Sequence, residues 1–113
     1  MFRVLTRPGP DAESEDAREV FATLLGAEPA ATSSVVLPPG ADRGSHRHTA
    51  AVAAGVVSGS ITLVFGADGT GRVELTPGDY VWISAGVVHD SETSDGVELV
   101  VAQVEPFETL AIG

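Results

Sequence analysis

The stretch Gly40-Ala41-Asp42-Arg43-Gly44-Ser45-His46-Arg47-His48 places two of the chain's three histidines one residue apart, just ahead of the apolar run Val52 to Val57. Side chains alternate faces along an extended strand, so His46 and His48 project to the same side, close enough for their ring nitrogens to share one cation. That is a metal-ligand spacing. The remaining histidine, His89, closes a second ordered stretch, Pro77-Gly78-Asp79-Tyr80-Val81-Trp82-Ile83-Ser84-Ala85-Gly86-Val87-Val88-His89.

Outward from these stretches the chain reads as many short strands separated by turns. Met1-Phe2-Arg3-Val4-Leu5 has the pattern of a short edge strand, and Arg7-Pro8-Gly9-Pro10 cannot continue a ladder. Asp11 to Asp16 is an acidic connector. Thr32 to Leu37 reads as a buried strand that ends at Pro38-Pro39-Gly40. Ile61 to Phe65 alternates in and out, Gly66 to Gly71 is a hairpin-like turn, and Arg72-Val73-Glu74-Leu75 keeps its apolar side chains on one face. Tyr80 to Ile83, Val87 to Thr93 and Val97 to Val104 supply three more strands. Beyond Pro106, the tail Phe107 to Ile112 can pair as one further edge strand or dock on a partner subunit. Such a cadence of short strands and Gly, Pro and Asp turns predicts an all-β sandwich or barrel, whose closure limits exposed edges.

Composition narrows the class. The 113 residues make one domain, 1–113, with its core in about 19–105 and edge or tail segments at both ends. Without cysteine there is neither a disulfide framework nor a thiolate metal site, so redox chemistry must come from a bound metal or cofactor. Six basic residues against sixteen acidic give a net charge of −10, and no cationic surface is available to displace counterions from nucleic acid. Apolar runs fall short of a membrane span, and the N-terminus lacks the basic-then-apolar order of a signal peptide. The expectation is a cytoplasmic protein with no nucleic-acid or membrane partner. No nucleotide-binding glycine loop, Ser/His/Asp order or paired acid dyad is recognisable.

Both histidine-bearing stretches resemble the two motifs of the cupin superfamily, G-x5-H-x-H-x3,4-E-x6-G and G-x5-P-x-G-x2-H-x3-N. Gly40, His46, His48 and Gly59 fit the first, and Gly78, Gly86 and His89 fit the second. Three positions depart: Val52 stands for the glutamate ligand, Ser84 for the proline and Thr93 for the asparagine. The resemblance implies a jelly-roll cupin barrel, a double-stranded β-helix. For Arg18 to Leu25, preceding acids and the following Gly26 look like helix punctuation. Val20-Phe21-Ala22-Thr23-Leu24-Leu25 is nevertheless short and β-leaning, and the resemblance favours a strand, which is the expectation here.

On the family's pattern, His46, His48 and His89 are the protein ligands of one divalent metal: iron, zinc, nickel, copper, cobalt or manganese. Val52, four residues past His48 with the same parity, faces the same interior and cannot ligate. A metal held only by neutral imidazoles keeps its full charge and an extra open position, which weakens metal affinity and favours anionic or bidentate ligands. Three-histidine sites occur among cupins, including thiol and β-diketone-cleaving dioxygenases. Tyr80 and Trp82 share a strand face and are candidates for the barrel mouth, although aromatic residues on a strand more often serve packing. Gln103, in phase with Leu99 and Val101, is a candidate pocket residue whose commoner role is an outward-facing polar one. Asp90 should point to the opposite face from His89, and Arg43 and Arg47 flank the ligands. The reading is a metal-dependent enzyme acting on a small organic molecule, of dioxygenase or isomerase/cyclase type; the alternative is a non-catalytic small-ligand-binding module. Apolar residues at both ends, Phe2 to Leu5 and Phe107 to Ile112, predict a homodimer.

Overall fold

Val52 to Val57 is apolar without alternation, as a strand covered on both faces must be, and the structure is built around that strand. The computed structural model describes residues 2–6, 17–42, 44, 46–65, 71–104 and 108–111. Its strands are β1 (Phe2–Thr6), β2 (Ala31–Leu37), β3 (His46–His48), β4 (Val52–Gly59), β5 (Ile61–Phe65), β6 (Gly71–Leu75), β7 (Asp79–Ile83), β8 (His89–Glu92), β9 (Val97–Gln103) and β10 (Thr109–Ala111), with one helix, α1 (Ala17–Leu25). Antiparallel pairing gives two five-stranded sheets, in the orders β1-β7-β4-β9-β2 and β10-β3-β8-β5-β6. This is the all-β sandwich or barrel expected from the strand cadence, in the jelly-roll form that the resemblance implied. The acidic connector and the turn at 66–70 lie outside the described residues.

Inner faces meet along one core. Val52 and Val56 of β4, Val81 and Ile83 of β7 and Val97 and Leu99 of β9 pack against Ile61, Leu63 and Phe65 of β5 and Leu75 of β6. Strict alternation on β5, where Ile61, Leu63 and Phe65 are buried and Thr62 and Val64 only partly so, marks a sheet with one dry face. β4 is different because its outer face is covered as well. Ala53 of β4, Ala102 of β9 and Tyr80 of β7 join Val20, Phe21 and Leu24 in a second cluster beneath α1. Tyr80 pairs with Gly55 across β7 and β4, and its ring meets Phe21 edge-on at 5.3 Å between centroids.

The segment Arg18 to Leu25 is therefore a helix and not the expected strand. Val20, Phe21 and Leu24 recur on one helical face and are buried, whereas Glu19 and Thr23 are exposed. Gly26 ends it: with φ at +75° it donates its N–H to Ala22 O at 2.9 Å. Packing on the outer face of the first sheet outweighed the β-leaning character of Val20 and Phe21. A second correction concerns Thr32 to Leu37. β2 pairs only with β9 and forms a sheet edge, with Thr32 to Ser34 exposed and Val36 70% exposed. Both terminal segments expected as edge strands take that role, β1 beside β7 and β10 beside β3.

The loops at one end are cross-tied by Thr93, one of the two departures from the second motif. Thr93 Oγ1 donates to Ser60 O at 2.6 Å and accepts from Gly96 N–H at 3.0 Å. Its backbone exchanges bonds with the first motif, Gly40 N–H to Thr93 O and Thr93 N–H to Ala41 O. Gly59 fits this junction only without a side chain, because a Cβ would sit 2.1 Å from Gly96 O. Thr93→Val keeps the shape but strands two half-buried polar partners, and we expect a loss of about 1–3 kcal/mol, read as a lower urea midpoint at an unchanged m value.

Candidate metal centre

β3 carries His46 and His48 inward and Arg47 outward, as strand alternation requires. β8 lies beside it with His46 opposite His89, which brings all three imidazoles together on the inner face of the second sheet. Their ring centroids lie 5.1 Å (His46–His48), 4.3 Å (His46–His89) and 5.1 Å (His48–His89) apart, and one nitrogen of each lies within 4.8 Å of the others. His46 and His89 are buried and His48 is half-buried.

The backbone sets which nitrogen faces inward. Gly44 O lies 2.8 Å from His46 Nδ1 and Val87 O lies 3.0 Å from His89 Nδ1. A carbonyl can only accept, so both Nδ1 atoms carry hydrogen, and in a neutral ring that makes Nε2 the nitrogen able to ligate a metal. This is the outer-shell arrangement that orients metal-binding histidines. Asp42 supports it through its Oδ1, which accepts the N–H of Gly44 at 2.8 Å, the residue whose carbonyl oxygen holds His46. Gly86 N–H reaches His48 O at 2.9 Å and joins the two motifs directly. The donor set fits a divalent metal: three imidazoles converge, and two are oriented through Nδ1 by backbone carbonyls.

A cavity of about 180 Å³ opens over the histidines. Val35, Val52, Ala54, Ile61, Leu63, Leu75, Val81, Ile83, Leu99 and Val101 form its walls, and beyond the histidines its polar lining is Ser33 and Ser91. Apart from the histidines, no acidic or basic side chain lines it among the described residues. Val52 faces this cavity as expected, by a different route. The chain leaves the second sheet after His48 and enters the first at Val52, so the valine looks at the histidines from the opposite wall.

Three other candidate pocket residues do not line it. Tyr80 and Trp82 lie on the face of β7 turned toward α1, and their neighbours Val81 and Ile83 line the cavity instead. Gln103, at the last position of β9, is not part of the wall, which ends at Val101. Arg47 is exposed on the outer face, and Arg43 lies outside the described residues. Ser33 and Ser91 were missed, although Ser91 stands two residues from His89 and so shares its face by the alternation that pairs His46 with His48.

Asp90 points outward as expected. With Asp42 and Glu92 it forms a carboxylate group on the outside of the second sheet. Burial, followed by the neighbouring Asp42, holds the Asp90 carboxyl above the usual carboxylate range, whereas the Gly44 N–H, followed by Asp90, holds that of Asp42 below it. Glu92 also pairs with Arg72.

Comparison with known proteins agrees with this architecture. Residues 33–103, more than half of the chain, match the cupin domain family, and the chain belongs to that family. A cupin 2 domain-containing protein from Halorhodospira halophila superposes with a TM-score of 0.68 at 19% identity, covering 99% of this chain and 82% of that one. An acireductone dioxygenase from Bacillus anthracis, with a cadmium ion in its active centre, gives a TM-score of 0.60 at 21% identity over 80% of this chain. Oxalate decarboxylase from Bacillus subtilis gives 0.58 at 27% identity over 72%. This chain spans 58% of the length of the dioxygenase and 24% of that of the decarboxylase. No curated protein sequence matches it. No helix among the described residues is long and apolar enough to cross a membrane.

Proposed function

We propose that His46, His48 and His89 hold one divalent transition metal and that the protein is a metal-dependent enzyme acting on a small organic molecule, with dioxygenase chemistry favoured. The observation that carries this reading is the convergence of the three imidazoles, two of them oriented through Nδ1–H bonds to Gly44 O and Val87 O. A metal bound there would supply Lewis acidity and, if redox-active, a site for oxygen chemistry. The chain's own side chains do the rest. The aliphatic walls exclude water and strengthen electrostatic contacts with a bound molecule. Isomerase or cyclase chemistry needs an acid or base to move protons, and the described cavity residues offer no carboxylate or lysine for that task. The acireductone dioxygenase of the same fold is consistent with the favoured class.

The alternative, a non-catalytic binding module, draws on the same scarcity of polar groups in the wall. Elemental analysis of protein purified without an affinity-tag metal, followed by oxygen-uptake screening of the iron form against small organic acids and diketones, separates the two. Near-stoichiometric metal with oxygen consumption supports the enzyme, and metal without turnover supports the binder. Metal that persists after all three histidines are replaced would sink the site.

We also propose a homodimer. β2 leaves one sheet edge without a partner among the described residues and exposes Val36. Light scattering that detects only monomer at micromolar concentration would count against it.

A further inference from the structure

Ser91 is 7% exposed, lines the cavity, and has no hydrogen bond from its hydroxyl to any described residue; only its backbone N–H is engaged, by Asp90 Oδ1 at 2.7 Å. Buried hydroxyls without a partner are uncommon, because leaving one unmade forfeits the exchange of water for a protein acceptor. This one is aimed into an apolar cavity from the strand that carries His89, two residues away and on the same face. On β5 its neighbour is Leu63, which offers no polar atom.

We infer that Ser91 Oγ is the polar anchor of the ligand site and that the ligand is a small monocarboxylate with a branched aliphatic body. This rests on the metal reading above, since three neutral imidazoles leave a bound cation's charge for the ligand to balance. The serine donates its hydroxyl hydrogen to a carboxylate oxygen, a charge-assisted bond that also satisfies the orphaned group. Val52, Leu63, Ile83 and Leu99 enclose the hydrocarbon part. Size restricts the class further: about 180 Å³ is below the roughly 300–1,000 Å³ of pockets for drug-sized ligands. Phosphorylated or glycosylated molecules are excluded on the same grounds, because the described wall has no cationic or amide side chain to take their polar groups.

The test uses 3-methylbutanoate as probe with wild type, Ser91→Ala and Ser91→Thr, each titrated with Co2+ and then with the probe, and melted with and without EDTA. All three proteins should bind Co2+ within about twofold of one another, since Ser91 is not a ligand. Ser91→Ala should lose about tenfold or more of the probe's affinity and its melting shift, and Ser91→Thr should keep most of both. Without probe, Ser91→Ala should melt no lower than wild type, because no protein contact of the hydroxyl is removed. Equal probe affinity in wild type and Ser91→Ala, no probe binding to wild type, or a lower melting point for ligand-free Ser91→Ala would each overturn the inference. A wild type that takes up no Co2+ but binds the probe in a serine-dependent way sinks the metal reading alone.

Discussion

His89→Ala will cost the protein its metal. Outer-shell partners of metal ligands are each worth roughly 10–100-fold in affinity, so removal of one of only three ligands should exceed that and bring Co2+ affinity down by more than about 100-fold. His89 is the most informative position, since it is buried, faces His46 across the β3–β8 pair and is oriented by Val87 O. The consequence extends to stability. A metal at about 1,000 times its dissociation constant stabilises the native state by about 4.1 kcal/mol, and this increment should be present in wild type, abolished by EDTA, and cut to about 1.4 kcal/mol or less in the variant at the same metal concentration. Thermal melting and Co2+ titration of both proteins measure it. If wild type shows no chelator-sensitive shift, or the variant retains it in full, the three histidines are not a metal centre.

The histidine triad was legible because its information is local. Alternation puts His46 and His48 on one face whatever the rest of the chain does, and the motif glycines carry the turns that bring His89 beside them. Gly86 shows how tightly the two motifs depend on each other, since its N–H holds the carbonyl of His48. What the sequence hid was the answer to which face of a doubly covered strand looks inward. β7 buries Tyr80, Val81 and Ile83 alike, so hydrophobicity alone could not separate the face beneath α1 from the face over the cavity. The error over α1 has the same origin. Read as a strand, Arg18 to Leu25 leaves the outer surface of β4 and β7 uncovered and removes the helix face that Tyr80 packs against. A stripe of Val20, Phe21 and Leu24 with a glycine just beyond was the signal that would have placed them correctly.

Val52→Glu tests how the site differs from the pattern it resembles. Val52 is 4% exposed, pairs with Ile83 and lines the cavity opposite the histidines. In the absence of metal the introduced carboxylate replaces an alkyl group within an aliphatic wall, and desolvation raises its pKa. A group whose folded pKa lies above its unfolded value withdraws stability as pH rises through that interval, so the deficit should be present at neutral pH and shrink toward pH 4. An uncompensated buried carboxylate costs on the order of 3 kcal/mol at neutral pH, tempered by any contact with an imidazole. With metal bound the sign reverses. A carboxylate ligand lowers the net charge of the centre and adds a charge-assisted contact, which should tighten Co2+ binding by about 1–3 kcal/mol, close to tenfold or hundredfold. The variant should therefore melt below wild type in EDTA and recover with Co2+ by a larger increment than wild type does. Its affinity for anionic ligands should fall at the same time, because the introduced charge balances what an exogenous anion would otherwise neutralise. Equal melting and equal Co2+ affinity in the two proteins would mean that the side chain at this position does not reach the histidines, and the argument from a fully charged three-imidazole centre would fail.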